Sequence, residues 1–211
     1  GEIELLGSTK DKFLFLRDSF RYLPKEFSFL DAGANACLIS ASISIENPQC
    51  HGYSLDISEN IFNMVDFFNV SLKSKIKPIK PINLNVTKLN KKFDLTIYFS
   101  LIHHILRTLS VKDFLNIVNN QTKQFSIIEI PTEEDVLAKK VLGKNIGRLN
   151  FNNFLEESKK YFEIIKVKNM NYMGSRKCVL LMKKNVKTFK GTTCYCYLTE
   201  NRKKIIKKCN I

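Results

Sequence analysis

The 211-residue sequence predicts a doubly wound α/β fold built around a mainly parallel sheet. Short apolar runs typical of buried strands alternate with segments of helical periodicity through most of the chain. The last two apolar runs are joined by the short segment 171–174, which favours an antiparallel pair. We therefore expect a Rossmann-like, seven-stranded sheet that closes with an antiparallel strand pair.

The first half of the chain predicts three strands and three helices in alternation. An amphipathic helix is expected over 10–23, and Pro24, the next residue, ends it. The elements that follow are strand 27–32, helix 36–45, strand 50–55, helix 58–69 with Ser58 as its N-cap, and a short strand near 76–84.

The second half predicts four more strands. Pro131 ends the fifth of the seven strands, because proline cannot donate a hydrogen bond to a sheet. The elements are strand 92–99, helix 110–119, strand 125–130, helices near 133–142 and 151–161, and strands 162–168 and 177–183.

Composition predicts one full-sized domain. At 44% hydrophobic residues the chain can bury one core, so we assign residues 1–184 to this domain and 185–211 to an appended tail. The six cysteines include no Cys-x-x-Cys pair, and no paired histidines stand at zinc spacing; we expect reduced thiols, a cytoplasmic location and no metal. No apolar run is long enough to predict a membrane span.

The net charge of +14 is concentrated in two segments. Residues 71–92 carry seven lysines and no acid, and residues 183–211 carry nine Lys or Arg against one Glu. Within the tail, 188–198 and 203–208 predict a basic β-hairpin. Such clusters can hold phosphates or nucleic acid, and a solvated lysine-rich surface explains them equally well.

The motif with the clearest chemistry follows the first predicted strand. Within Phe27–Cys37, Asp31 ends the strand and Gly33 permits a sharp turn before the next helix. Asp56 ends the second strand, where a carboxylate can accept both hydroxyls of a ribose. This arrangement predicts a nucleotide-like cofactor at the carboxyl edge of the sheet.

Titratable residues also follow the fourth and fifth strands. His103 and His104 come shortly after the fourth strand, and Glu129 ends the fifth. These ends face the same crevice in an open parallel sheet, and adjacent histidines point in different directions. Glu129 would bring a carboxylate to this crevice, beside Arg176 or His103. A purely structural ion pair explains Glu129 equally well.

Together these segments resemble class I S-adenosylmethionine-dependent methyltransferases. The resemblance rests on 27–37, 52–58, 93–104 and 127–129 and extends over roughly 10–183. The pattern is most similar to the methyltransferase part of O-antigen chain-terminating methyltransferase–kinases, which also have two histidines after strand four, a glutamate on strand five and an arginine before the last strand. Arg176 occupies that last position.

The resemblance implies a set of site residues. Those expected to contact S-adenosyl-L-methionine are Asp31, Gly33 and Asn35 at the methionine end, Asp56 at the ribose, Ile57 and Asn85 at the adenine, and Ser100 near the sulfonium. Those expected at the acceptor are His103, His104, Glu129 and Arg176. Asp94 begins its strand and is not expected in catalysis.

The implied reaction is methyl transfer to a hydroxyl or phosphate oxygen of a sugar, glycan or other small anionic acceptor. A hydroxyl needs a general base, for which His103 or His104 is suited, whereas a phosphate needs only cations such as Arg176. The alternatives are an RNA methyltransferase and an inactive, methyltransferase-fold binding module. Cys37 stands where relatives usually carry glycine, and its side chain is expected to add volume beside the carboxylate of the cofactor.

Overall fold

The computed structural model describes residues 4–79, 89–170 and 175–184 and contains a seven-stranded sheet. The strand order is β3-β2-β1-β4-β5-β7-β6. The strands are β1 (Ser28–Ala32), β2 (His51–Leu55), β3 (Ile76–Pro78), β4 (Phe93–Tyr98), β5 (Thr122–Pro131), β6 (Phe162–Met170) and β7 (Arg176–Lys183).

The strand pairing confirms the predicted fold class. Neighbouring strands from β3 to β5 pair in parallel, and β7 inserts antiparallel between β5 and β6. The strand order reverses between β1 and β4, whose carboxyl ends lie side by side because Asp31 pairs with Ile97. Ligands bind at such a reversal in open α/β sheets.

Helices cover both faces of the sheet. One apolar cluster packs the helices that carry Phe114 and Phe154 on one face, and a second packs those that carry Phe15 and Ile43 on the other. The α-helices are α1 (Gly7–Arg17), α2 (Leu38–Glu46), α3 (Asn60–Leu72), α4 (Ile102–Ile105), α5 (Val111–Gln121), α6 (Val136–Leu142) and α7 (Phe151–Ser158). Short 3-10 segments run from Phe20 to Tyr22 and from Gly143 to Leu149.

Several predicted boundaries were wrong. Helix α1 ends at Arg17 because the chain tightens into a 3-10 turn before Pro24. Ser58 is not the N-cap of α3: the helix begins at Asn60, and the Ser58 hydroxyl accepts a bond from the Asn60 amide at 3.3 Å. Strand β5 begins earlier than expected, and α4 was not predicted. Residues 80–88 and the predicted tail hairpin lie outside the described residues.

Asp94 joins two neighbouring strands through its side chain. Its carboxylate accepts bonds from the Ser28 amide at 2.8 Å and the Ser28 hydroxyl at 2.7 Å, which tie β1 to β4. Cys37, Cys50 and Cys178 are buried free thiols. Within the described ranges, no helix has the length and apolar character needed to cross a bilayer.

Candidate active site

A cleft of about 780 Å³ opens at the carboxyl ends of β1, β2 and β4. It lies at the reversal of strand order, and residues of α1 and α4 complete its walls. Every predicted site residue in the described ranges except Glu129 lines this cleft; Glu129 lies directly behind it. The predicted residue Asn85 lies outside the part of the chain that the structure describes.

The loop between β1 and α2 turns tightly beneath the cleft. Gly33 has φ +75°, and a Cβ atom there would lie 3.2 Å from the Leu101 side chain, so glycine is the suitable residue. The amides of Gly33 and Ala34 both donate to the Leu55 carbonyl, at 2.8 and 3.0 Å. These bonds fix the loop to the end of β2.

The side chain of Cys37, which was expected to add volume beside the cofactor, does not line the cleft. Cys37 adopts φ +56° at the start of α2, and this backbone turns its side chain away from the cleft. The fully buried thiol packs between α2 and α3, against residues that include Ala41 and Val65. The cysteine therefore fills a core position and leaves the cleft open.

Asp31 forms the floor of the cleft. It is 3% exposed, and its carboxylate accepts a bond from the Ser40 hydroxyl at 2.7 Å; Ser40 in turn accepts one from the Ser54 hydroxyl at 2.6 Å. Burial raises the pKa of Asp31 to about 6, and the Ser40 bonds oppose that rise without cancelling it. The site thus holds a carboxylate that a neighbouring cation would stabilise.

Asp56 lies at the cleft rim and helps to shape the loop opposite. One carboxylate oxygen accepts from the Asn35 amide at 2.8 Å and the other from the Ser58 amide at 3.0 Å. Each oxygen retains further acceptor capacity, because a carboxylate offers about four lone-pair sites. Ile57, the next residue, is 74% exposed and lines the same rim.

Behind the cleft lies a buried ion network. Glu129 is fully buried and lies 3.2 Å from Lys12 Nζ and 3.6 Å from an Arg176 nitrogen. Arg176 also donates to Asp135 at 2.7 Å. The network therefore joins two cations and two carboxylates contributed by α1, β5, β7 and the start of α6.

Ser100 connects this network to the cleft. Its amide and hydroxyl donate to Glu129 at 2.6 and 3.0 Å, and its hydroxyl oxygen accepts from Lys12 at 2.7 Å and Arg176 at 3.0 Å. Ser100 has φ +51°, a conformation that non-glycine residues rarely adopt, so these four bonds hold a strained backbone in place.

The two histidines differ in exposure. His103 is buried and His104 is exposed, and their ring centroids lie 4.3 Å apart. Burial, with help from His104 and Arg176, lowers the pKa of His103 to about 4, and burial with Arg107 also lowers the pKa of His104. Both imidazoles are therefore neutral near pH 7.

Structural comparison identifies the architecture. The chain superposes on the N-methyltransferase NodS from Bradyrhizobium japonicum WM9 with a TM-score of 0.62 and 9% identity, over 83% of this chain and 96% of NodS. It superposes on magnesium protoporphyrin IX methyltransferase from Synechocystis PCC 6803 with a TM-score of 0.57 and 14% identity, over 87% and 90% of the two chains. The fold is that of class I methyltransferases.

This methyltransferase fold is also shared with WbdD, an O-antigen methyltransferase–kinase. The TM-score is 0.62 at 14% identity, over 82% of this chain and 40% of WbdD. The resemblance inferred from the motifs is therefore confirmed at the level of fold. No protein-family model matches the sequence, and a search of curated proteins found no sequence match.

Sequence reasoning missed three charged residues of this methyltransferase-fold site. Lys12 shares a helical face with Phe15 and Leu16, a spacing that could have revealed it as buried. Asp135 is the N-cap of α6 and accepts a bond from the Ala138 amide at 2.8 Å, which its position before an apolar run could have indicated. Arg107 gave no distinguishing signal.

Proposed function

We propose that the protein is an S-adenosylmethionine-dependent methyltransferase. The observation that carries this proposal is the cleft at the strand-order reversal of a class I methyltransferase fold, with Asp31 on its floor and Asp56 at its rim. In solved neighbours of this fold, S-adenosylhomocysteine has been observed bound. The residues of the cleft fit such a ligand in charge and position.

The cofactor would lie along β1 and β2. The Asp31 carboxylate would face the ammonium group of the methionine end, and the free lone pairs of Asp56 would accept the ribose hydroxyls. Exposed Ile57 would cover the adenine. When bound, S-adenosylmethionine supplies a methyl group on a positively charged sulfur.

We propose an oxygen acceptor bound at the α4 end of the cleft. A hydroxyl acceptor requires a group that removes its proton, and the neutral imidazoles of His103 and His104 lie there. The protein's other contribution is to hold the acceptor in line with the methyl group and exclude water. A sugar or glycan acceptor is consistent with the fold shared with WbdD.

Arg176, which was expected at the acceptor, takes part in a network of buried ionic contacts. Its guanidinium lies within a buried network with Asp135, Glu129 and Ser100, and it is 3% exposed. We propose that Arg176 and Glu129 support the wall of the acceptor site and do not themselves bind the acceptor.

Cofactor binding tests the proposal directly. Isothermal titration of the full chain with S-adenosylhomocysteine should give a saturable signal, and Asp56→Ala should weaken binding by roughly 10- to 100-fold, because hydrogen bonds to a charged group are lost. Asp66→Ala, which removes an exposed carboxylate of α3, is the matched control. Absence of binding to the unmodified chain would indicate a binding module in place of an enzyme.

The two histidines separate a hydroxyl acceptor from a phosphate acceptor. With a hydroxyl acceptor, at least one of the variants His103→Ala and His104→Ala lacks the general base. That variant should show a kcat lowered by roughly 10²- to 10⁴-fold, while its affinity for S-adenosylhomocysteine changes little. Single-turnover methyl transfer measures this effect. Full turnover in both variants would exclude general-base catalysis by either imidazole.

A further inference from the structure

The charges that line the cleft are divided between its two ends. Asp31 lies at the carboxyl end of β1 and Asp56 follows β2, whereas the basic and imidazole side chains lie towards α4, α1 and β7. The charged and titratable lining residues are Lys12, Asp31, Asp56, His103, His104, Arg107 and Arg176. The β1–β2 end therefore suits a positively charged ligand, and the α4 end suits a negatively charged one.

Two of the three cations in this lining serve the buried network. Lys12 contacts Glu129 and the Ser100 hydroxyl, and Arg176 contacts Asp135 and Glu129. Both residues are buried, with Lys12 9% and Arg176 3% exposed. Their charges are balanced within the protein, so neither is available to neutralise an incoming anion.

Arg107 differs from both. It lies two residues beyond the end of α4, lines the cleft and is exposed. Its guanidinium forms no hydrogen bond or ion pair with a described residue. Its main chain is nevertheless fixed, because Arg148 donates to the carbonyls of Leu106 at 2.9 Å and Arg107 at 3.4 Å. A firmly held backbone thus presents an unengaged guanidinium beside His104.

We propose that Arg107 recognises an oxyanion carried by the methyl acceptor, either a phosphate or a carboxylate group. A guanidinium offers a planar fork of N–H donors that matches both groups in a bidentate manner. Anchoring the anion at Arg107 places the rest of the acceptor next to His103 and His104. This inference rests on the proposed methyltransferase function and makes Arg107 a specificity-determining residue.

Titration of sugars into the protein saturated with S-adenosylhomocysteine tests the inference. Glucose 6-phosphate, glucuronate and glucose are the probes, and the readout is the His104 Hε1 NMR signal, which is resolvable among three histidines. We expect saturable shifts with one or both anionic sugars and none with glucose. Arg107→Gln should weaken the anionic sugar at least tenfold, whereas Arg21→Gln, which removes an exposed arginine outside the cleft, should not.

The outcomes are separable from failure of the proposed function. Binding of S-adenosylhomocysteine to the unmodified chain and to Arg107→Gln is measured first and reports on folding and on the cofactor site. If it binds and the anionic sugars do not, or if Arg107→Gln leaves their affinity unchanged, the role of Arg107 is overturned. Preference between the phosphate and the carboxylate sugar identifies which oxyanion the acceptor carries.

Discussion

Replacing Glu129 with alanine is expected to destabilise the protein by about 3–5 kcal/mol, because it leaves buried cations without their carboxylate. Glu129 is fully buried, and Lys12 and Arg176 lie 3.2 and 3.6 Å from it. The variant also removes the carboxylate oxygen to which the Ser100 amide and hydroxyl donate. Urea unfolding of the unmodified chain and the variant measures the difference.

A surface pair provides the matched control for this prediction. Glu46 lies 3.7 Å from Arg17, and both side chains are more than one-third exposed. Glu46→Ala should cost about 0–1 kcal/mol, since water and salt screen an exposed pair. In addition, the double variant Glu129→Gln with Lys12→Met should lose less free energy of unfolding than the sum of the losses in the two single variants. Equal losses of unfolding free energy in Glu46→Ala and Glu129→Ala would contradict the inference that the buried network stabilises the fold.

The β1–β2 end of the cleft could be predicted from the sequence because it depends on local order along the chain. Asp31 is the next-to-last residue of β1, and Gly33 and Asp56 directly follow β1 and β2. Parallel strands bring their carboxyl ends to one edge. The apolar runs that mark those strands are unambiguous. Position in the sequence therefore determined position in the cleft.

The ion network behind the α4 end of the cleft could not be predicted in the same way. Lys12 and Glu129 are 117 positions apart, and only the packing of α1 against the sheet brings their side chains together. The placement of the Cys37 side chain beside the cofactor was not met for a related reason. The sequence shows that a glycine is replaced, but φ +56° directs the side chain into the core. Side-chain direction at such positions depends on backbone angles that residue type does not reveal.

Asp31→Asn is expected to stabilise folding increasingly as pH rises. In the folded chain burial raises the pKa of Asp31 to about 6, above the ordinary value of 3.8. Between these values the folded state keeps a proton that the unfolded state releases, so the unmodified chain loses stability as pH rises towards 6. The advantage of Asp31→Asn should therefore grow by about 2 kcal/mol between pH 4.5 and pH 7.5. Urea unfolding at both pH values measures it, and fixed costs of the substitution cancel in the difference.

The same carboxylate should make cofactor binding pH-dependent in the opposite sense. In the proposed binding mode the ammonium group of S-adenosylhomocysteine faces an ionised Asp31, so affinity should increase as pH rises through about 6 and level off above it. Asp31→Asn should bind weakly at every pH, with no such increase. An unchanged affinity in that variant would place the ammonium group elsewhere in the cleft. If both results hold, the buried carboxylate costs folding stability at neutral pH because the attraction of Lys12 offsets only part of the cost of burial, and the ligand supplies a further cation on binding.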